Sequence, residues 1–320
     1  MSQLRGAAFA AFACIVIAVP HLQAGIIRDD VADSQYIALG STSTYASAGK
    51  ISFGNNSDWA SGILVAGDWM LTAAHVVRTN SINNTPGNVQ FTVGGNTYTG
   101  SQIILDPGYI HGSPENGNDL ALVKLSSTVT NVTPIALYTG SSEIGEVGTF
   151  VGYGKTGDGT TGLDTGSGAQ LRGGTNVIDI RGDQLVPGWS SNVLLSDFDA
   201  PGDPSQSSFG SANPTPLEYL SADKDSGSGL FITVSGTTYL AGVVSFALFD
   251  DDGIPFNYGD VIAATRISGH AAWIQAQGVP ELSSGMMTAF GLGICFVATY
   301  ISRRSKRMMM ATKGVSSDNA

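Results

Sequence analysis

Short apolar or alternating runs, separated by Gly, Asn and Ser, recur through most of the chain. Runs of this length with a period of two are typical of antiparallel β-strands bounded by turns. The strands are predicted at residues 36–39, 49–53, 62–66, 69–72, 89–93, 96–99, 102–105 and 239–246. The pattern therefore predicts an all-β protein.

The first 24 residues do not follow this strand pattern. Arg5 precedes an apolar run at 7–20, and the small residue Ala24 follows that run. A positive start, a short apolar centre and a small residue at the cut are typical of a secretory signal peptide, cleaved here before Gly25. The alternative is an N-terminal membrane anchor, although the run is shorter than the ~20 residues that a span needs.

The C-terminal part also carries an apolar segment, at 285–301, which a basic cluster at 303–307 follows. This segment is marginally long enough for a transmembrane helix, and its basic flank would stay cytoplasmic. The predicted organisation is a signal peptide at 1–24, a main domain at 25–278, a membrane segment at 279–307 and a polar tail at 308–320.

Composition narrows the class of protein. Hydrophobic residues make up 42% of the chain, charged residues only 13%, and there are 42 glycines. This profile favours a loop-rich exported protein over a helical cytosolic one. The formal net charge of -11 argues against nucleic acid as a partner. Both cysteines, Cys14 and Cys295, lie in the terminal apolar segments, so we expect no disulfide in the main domain.

Three stretches carry residues that could work together as a nucleophilic triad. LTAAHVV contains His75, NDLALVKL contains Asp119, and DSGSGLF contains Ser226. A serine hydroxyl is a poor nucleophile at neutral pH unless a base lies within hydrogen-bond reach and an acceptor orients that base. Each stretch alone is a weak signal, since most Asp-Ser-Gly triplets are surface turns.

Taken in this order, the three stretches resemble the trypsin/chymotrypsin-like serine peptidase family. The resemblance implies two packed six-stranded antiparallel β-barrels, with strands at 150–154 and 265–267, and a short C-terminal helix at 270–277 whose buried residues are Trp273 and Ile274. It also implies that His75 is the base, that Asp119 orients His75, and that Ser226 is the nucleophile that forms an acyl-enzyme. Ser228 is a rival to Ser226 by proximity only, because it stands where the family usually has the second glycine of its GDSGG motif.

The same resemblance implies further roles around the nucleophile. The backbone N–H groups of Lys224 and Ser226 would form the oxyanion hole, but Lys224 replaces the family's usual glycine. Because glycine permits the required peptide orientation without a Cβ clash, we expect either strain at Lys224 or a peptide flip induced by substrate. A new N-terminal amine near Ile26 would insert beside Asp225, and this contact would order the active site.

The resemblance also implies where the substrate pocket lies, from positions relative to Ser226 in the family rather than from a motif. Leu220 would form its floor, Ser245 would lie at the substrate backbone, and Phe246 and Ala247 would form its wall, which suggests a modest apolar pocket. The acidic run at 250–252 is interpreted as a solvated turn, although it could alter this preference. His111 and His270 are interpreted as surface residues. No metal-site spacing or phosphate-binding loop is present, so no cofactor is predicted.

The Val279-Pro280-Glu281 motif, the apolar segment at 285–301 and the basic cluster at 303–307 together resemble the bacterial PEP-CTERM sorting signal. This resemblance of the region 279–307 implies processing by an exosortase in addition to signal peptidase. The expected location is the cell surface, the extracellular matrix or the membrane, with the main domain outside. The first hypothesis is a serine endopeptidase that acts on protein or peptide substrates. The alternatives are a catalytically weak or inactive binding module of the same fold, favoured by Lys224 alone, and an esterase that uses the same triad.

Overall fold

The computed structural model describes residues 25–54, 58–78, 85–166, 168–250 and 252–279. The predicted signal peptide, the predicted transmembrane segment and the polar tail lie outside these residues. Within the described part of the chain, no helix is long and apolar enough to cross a membrane.

The described residues form eighteen β-strands and four short α-helices. The strands are β1 (Gly25–Ile27), β2 (Ala48–Phe53), β3 (Trp59–Ala66), β4 (Trp69–Thr72), β5 (Val89–Val93), β6 (Asn96–Leu105), β7 (Ala121–Leu125), β8 (Ala136–Leu137), β9 (Val147–Gly152), β10 (Thr156–Asp158), β11 (Gly162–Asp164), β12 (Arg172–Val177), β13 (Ile180–Arg181), β14 (Val193–Asp197), β15 (Tyr219–Leu220), β16 (Gly229–Val234), β17 (Thr237–Leu248) and β18 (Val261–Arg266). The helices are α1 (Asp33–Gly40), α2 (Ala74–Val77), α3 (Gly182–Leu185) and α4 (Ala271–Ala276). The prediction of an all-β protein with a short C-terminal helix is confirmed.

The first half of the main domain is a closed six-stranded barrel in the order β2-β3-β4-β7-β6-β5. Strand β5 alternates between buried and partly exposed positions over Val89–Val93, whereas β4 is buried at all four of its positions. Side chains that point inward on alternate positions fill the interior of a small barrel. The first predicted barrel is therefore present with six strands.

The second half is an open sheet in the order β12-β9-β16-β17-β18-β14-β13, and the prediction of a second closed six-stranded barrel is wrong. No backbone ladder joins the edge strand β12 to β14 among the described residues. The Asn176 side chain bridges this gap, because its Nδ2 donates to the carbonyl oxygens of Asp197 at 2.7 Å and of Tyr219 at 3.1 Å. A further small sheet in the order β11-β10-β1-β15 holds the N-terminal strand against this half.

The segment 36–39 is also a correction, because it lies in helix α1 rather than in a strand. Its buried residues, Tyr36 and Gly40, are four positions apart and so occupy one face of a helical turn. The backbone of Gly40 packs directly on Arg172 and Gly173 in β12, where an added Cβ would lie 2.5 Å from the Arg172 carbonyl carbon. A short apolar run cannot distinguish these two structures by its pattern alone.

The two halves pack along a seam that also brings the candidate site together. The rings of Tyr45 and Phe231 meet there at 5.1 Å between centroids. The Ser61 N–H of β3 donates to the carbonyl oxygen of Ser226 at 3.0 Å, so the nucleophile turn of the second half is bonded to the first barrel.

Candidate active site

His75, Asp119 and Ser226 come together in one hydrogen-bonded line. The distance from His75 Nδ1 to Asp119 Oδ2 is 2.6 Å, and the distance from His75 Nε2 to Ser226 Oγ is 2.8 Å. With the Nδ1 proton donated to Asp119, Nε2 is left as an acceptor for the serine hydroxyl proton. This is the arrangement that a general base and its nucleophile need.

The strand pairing explains how His75 meets Asp119. Strands β4 and β7 are neighbours in the first barrel, with Thr72 paired to Ala121. His75 follows β4 in helix α2, and Asp119 directly precedes β7, so both residues leave the same end of the barrel. The backbone N–H of His75 also donates to Asp119 Oδ1 at 2.9 Å, which fixes the carboxylate on a second side.

The Asp119 carboxylate is only 1% exposed and is held by several donors. Burial by itself would raise the pKa of Asp119, but hydrogen bonds from His75 and Ser245 outweigh it and hold the pKa below its usual value. The Ser245 hydroxyl donates to Asp119 Oδ2 at 2.5 Å. The sequence predicts only a substrate-binding role for Ser245 and gives no sign of this contact.

The nucleophile turn requires glycine at position 227. Gly227 has a φ of +87°, and an added Cβ would lie 2.0 Å from the Ser61 carbonyl oxygen and 2.3 Å from Thr72 Oγ1. The neighbouring Ser228 is 1% exposed, and its hydroxyl donates to Asp225 Oδ1 at 3.2 Å. Ser228 therefore does not compete with Ser226 for His75.

The Lys224 backbone adopts the left-handed conformation that its position demands, with a φ of +72°. The carbonyl oxygen of the preceding residue, Asp223, accepts a hydrogen bond from Lys155 N at 2.7 Å. In a trans peptide the C=O and the N–H point in opposite directions, so this bond turns the Lys224 N–H away from Lys155.

The backbone donors of the turn separate into two groups. The N–H groups of Asp225, Gly227 and Ser228 are bonded to carbonyl oxygens within the protein. Those of Lys224 and Ser226 have no acceptor among the described residues. They are the two donors named in the sequence analysis, and they remain available for a developing negative charge on a substrate oxygen.

Asp225 is fully buried, and burial raises its pKa to about 6. Its carboxylate accepts hydrogen bonds from Gly154 N at 2.8 Å, Ala222 N at 3.0 Å, the Tyr219 hydroxyl at 3.2 Å and the Ser228 hydroxyl. Each of these bonds favours the ionised form and limits the rise of the pKa.

The predicted contact between a new N-terminal amine and Asp225 concerns a cleaved chain and stays a prediction, because Gly25 N is here the peptide nitrogen that follows Ala24. This peptide N–H, in the first residue of β1, donates to the Lys155 carbonyl oxygen at 2.5 Å. Gly25 also lies against the ring of Tyr219, the residue whose hydroxyl contacts Asp225.

A cavity of about 180 Å³ opens beside Ser226. It is lined by Ser221, Ala222, Asp223, Lys224, Ser226, Val244, Ser245, Phe246, Ala247, Phe249 and Phe256. The predicted Ser245, Phe246 and Ala247 thus border the cavity. Leu220 is a correction, because it lies fully buried in β15, pairs with Ile26, and does not line the cavity.

His270 is also a correction, because it is 5% exposed rather than on the surface. Its Nδ1 lies 3.0 Å from Asp106 Oδ2, and its Nε2 lies 2.7 Å from the Gly117 carbonyl oxygen. It therefore ties helix α4 to the loop that leads into Asp119. The exposed His111 contacts Tyr109 and lies outside this network.

Comparison with known proteins identifies the family. The Trypsin family profile matches residues 39–176. Trypsin-1 of Astacus astacus is 30% identical over 226 residues, which cover 66% of this chain and 84% of that protein. The chain belongs to the trypsin family. This relation indicates a serine protease hydrolase.

Two other trypsin-family relatives match over shorter lengths. Trypsin-2 of Salmo salar is 30% identical over 117 residues, covering 35% of this chain and 50% of that protein. A calcium-dependent serine proteinase of Mesocricetus auratus is 33% identical over 114 residues, covering 30% of this chain and 16% of that protein. The matched part of the chain thus spans half or less of each of these two proteins.

A solved structure agrees on the fold. The structure of neuropsin, a serine protease expressed in the limbic system of mouse brain, superposes with a TM-score of 0.51 at 17% identity. The match covers 71% of this chain and 93% of neuropsin. The main domain thus has a trypsin-like fold, with one closed barrel and one open half.

No cluster of three or more His, Cys, Asp or Glu side chains suited to a metal ion occurs among the described residues.

Proposed function

We propose that the chain is a serine endopeptidase that hydrolyses peptide bonds through an acyl-enzyme. The single observation that carries this proposal is the hydrogen-bonded line from Asp119 through His75 to Ser226, at 2.6 and 2.8 Å. The two unbonded N–H groups beside Ser226 support it further. Together they supply a base, a nucleophile and an oxyanion site, which are the parts that acyl transfer requires.

In the proposed reaction, Ser226 Oγ attacks the carbonyl carbon of the substrate while its proton passes to His75 Nε2. The Lys224 and Ser226 N–H groups donate to the oxyanion, and Asp119 stabilises the imidazolium. His75 then gives the proton to the leaving amine as the C–N bond breaks. Water attacks the acyl-enzyme by the same route and restores the Ser226 hydroxyl.

The cavity supports a preference for an apolar residue on the acyl side of the cleaved bond. Val244, Phe246 and Ala247 supply apolar wall, and the Phe249 and Phe256 rings meet edge to face at 4.7 Å. Asp223 also borders the cavity, but its carboxylate is paired with Lys155 Nζ at 2.8 Å.

A fluorophosphonate probe followed by peptide turnover tests the proposal. We expect the purified main domain to be labelled at Ser226, with labelling lost in Ser226→Ala and reduced at least about 1000-fold in His75→Ala. Ser228→Ala is the matched control and should still be labelled. Absence of labelling and of turnover in the folded, processed protein would refute the peptidase and favour the binding module. Turnover of esters without peptides would favour the esterase.

Export and activation are further parts of the proposal. Signal peptidase cleavage before Gly25 would place a charged amine at the start of β1, close to the Tyr219–Asp225 contact. The region 279–307 would serve as a sorting signal for an exosortase or as a membrane anchor, with the main domain outside. Mass spectrometry of both ends of the mature protein tests these assignments, and a retained N-terminal segment before Gly25 would contradict the first.

A further inference from the structure

Lys224 is a non-glycine residue in a conformation that favours glycine. Its φ of +72° places Cβ close to the following carbonyl oxygen, which costs free energy in an L-residue. The structure must therefore offset this cost if the Lys224 N–H is to stay directed at a substrate. A lysine that relaxed by rotating the peptide between 223 and 224 would carry its N–H away from the oxyanion position.

The Lys224 side chain crosses from the nucleophile turn to the first barrel. Its Nζ lies 2.6 Å from Asp58 Oδ1, with side-chain exposures of 29% for Lys224 and 37% for Asp58. A pair of opposite charges at this distance restricts where the lysine Cα can lie. The pair therefore favours the backbone conformation in which the lysine reaches Asp58.

Asp58 is itself held in place. The Trp59 N–H donates to Asp58 Oδ1 at 3.0 Å, and the Trp59 indole Nε1–H donates to the Tyr153 carbonyl oxygen at 2.7 Å. Tyr153 directly precedes Gly154, whose N–H donates to Asp225. The acceptor of the lysine is thus anchored to the segment that also holds the nucleophile turn.

We propose that Asp58 is a positioning residue that acts through its ion pair with Lys224. The pair holds the Lys224 N–H toward the place where the substrate oxyanion forms. This inference rests on the proposed peptidase function. In a protein with glycine at this position, the backbone adopts the conformation without strain, whereas here the two charged side chains stabilise it.

The proposal predicts a loss in the transition state rather than in substrate binding. Removing an oxyanion donor altogether costs about 100- to 1000-fold in rate, and a partly exposed ion pair contributes much less than that. In Asp58→Asn we therefore expect kcat to fall about three- to fivefold while KM stays within about twofold. Asparagine keeps the shape of the side chain and the acceptor for Trp59 N–H, so only the charge is lost.

A peptide aldehyde gives an independent measurement of the oxyanion site. Ser226 Oγ adds to the aldehyde carbon, its proton passes to His75, and the former carbonyl oxygen becomes the oxyanion. Its inhibition constant should rise in Asp58→Asn by about the same factor as kcat falls. Asp58→Glu, which keeps the carboxylate, should recover part of the loss.

Asp68→Asn is the matched control. Asp68 pairs with Lys124 at 3.8 Å with exposures similar to those of the Asp58 pair, and it lies outside the site. We expect kcat in this variant to stay within about twofold of the wild type. A second comparison uses Lys224→Gly, which removes the lysine partner. In that background Asp58→Asn should cause no further loss, because glycine needs no ion pair to hold this conformation.

The outcomes separate the inference from the proposed function. A wild type with turnover, together with an Asp58→Asn variant of unchanged kcat and unchanged aldehyde inhibition, would overturn the inference and leave the peptidase intact. The inference would also be overturned if Asp58→Asn lowered kcat by the same factor in the Lys224→Gly background as in the wild type. A wild type with neither turnover nor labelling would overturn the proposed function and this inference with it.

Discussion

Replacing Tyr219 by Phe tests whether the buried Asp225 must be ionised for activity. Tyr219 is 1% exposed and its ring stacks on Phe150 at 6.4 Å, so phenylalanine preserves the packing and removes only the hydroxyl. Burial holds the pKa of Tyr219 well above its usual value, so its hydroxyl remains a donor to Asp225 Oδ2 at every working pH.

The magnitude follows from this one hydrogen bond. A hydrogen bond to a charged group contributes about 1.5–3 kcal/mol, and its length of 3.2 Å argues for the lower value. About 1.4 kcal/mol corresponds to one pKa unit, so the pKa of Asp225 should rise from about 6 to about 7. At pH 6.5 the ionised fraction would then fall about threefold, whereas at pH 8.5 it would be nearly complete in both proteins.

The assay is kcat/KM across pH for Tyr219→Phe relative to wild type, because any pH dependence that both proteins share cancels in this ratio. We expect a ratio of about 0.3 at pH 6.5 that approaches one at pH 8.5, together with a melting temperature lowered by about 3–6 °C. Tyr258→Phe is the matched control. Tyr258 is also a buried tyrosine, and its hydroxyl donates to Asp29 Oδ1 at 2.7 Å in a part of the fold outside the site. A ratio that is flat across pH in Tyr219→Phe would refute the reasoning.

Two further predictions concern stability. Burial raises the pKa of Glu218 to about 8, so the folded chain binds this proton more tightly than the unfolded chain, and stability falls as pH rises from about 4.5 to about 8. In thermal melts, the melting temperature of Glu218→Gln should therefore fall less than that of the wild type between pH 5 and pH 8.5. Parallel curves of melting temperature against pH for the two proteins would contradict this. His270→Gln removes the imidazole that joins Asp106 Oδ2 to the Gly117 carbonyl oxygen, so we expect the free energy of unfolding to fall by about 2 kcal/mol, seen as a melting temperature lower by about 4–8 °C. The exposed His111→Gln is its control, and an equal loss in both variants would reject the buried role of His270.

The residues of the triad could be named from the sequence because each lies in a local pattern. His75 follows an apolar strand, Asp119 precedes another, and Ser226 stands in a glycine-rich turn. The strands beside them, β4, β7 and β16, are short and mainly apolar runs next to turn residues, and both of these are local properties. The expected strain at Lys224 was likewise a local inference, from a side chain at a position that favours glycine.

Contacts between distant parts of the chain could not be predicted in this way. Three of these contacts join residues that are more than 100 positions apart in the sequence. They are the Lys224–Asp58 pair, the Ser245–Asp119 bond and the His270–Asp106 contact. The misplacement of Leu220 has the same origin, because its burial depends on pairing with Ile26 near the chain's start. Helix α1 formed where a strand was predicted, since its packing on β12 decided between two local possibilities.

The sequence by itself determined which chemical groups this protein carries and the strand pattern that supports them, because both depend on side-chain type and short-range periodicity. The tertiary structure alone decided how the second half is built, which carboxylates are buried, and how a lysine is held where a glycine is usual. Those properties arise from desolvation and from contacts across the seam between the two halves. Neither exists until the chain is folded.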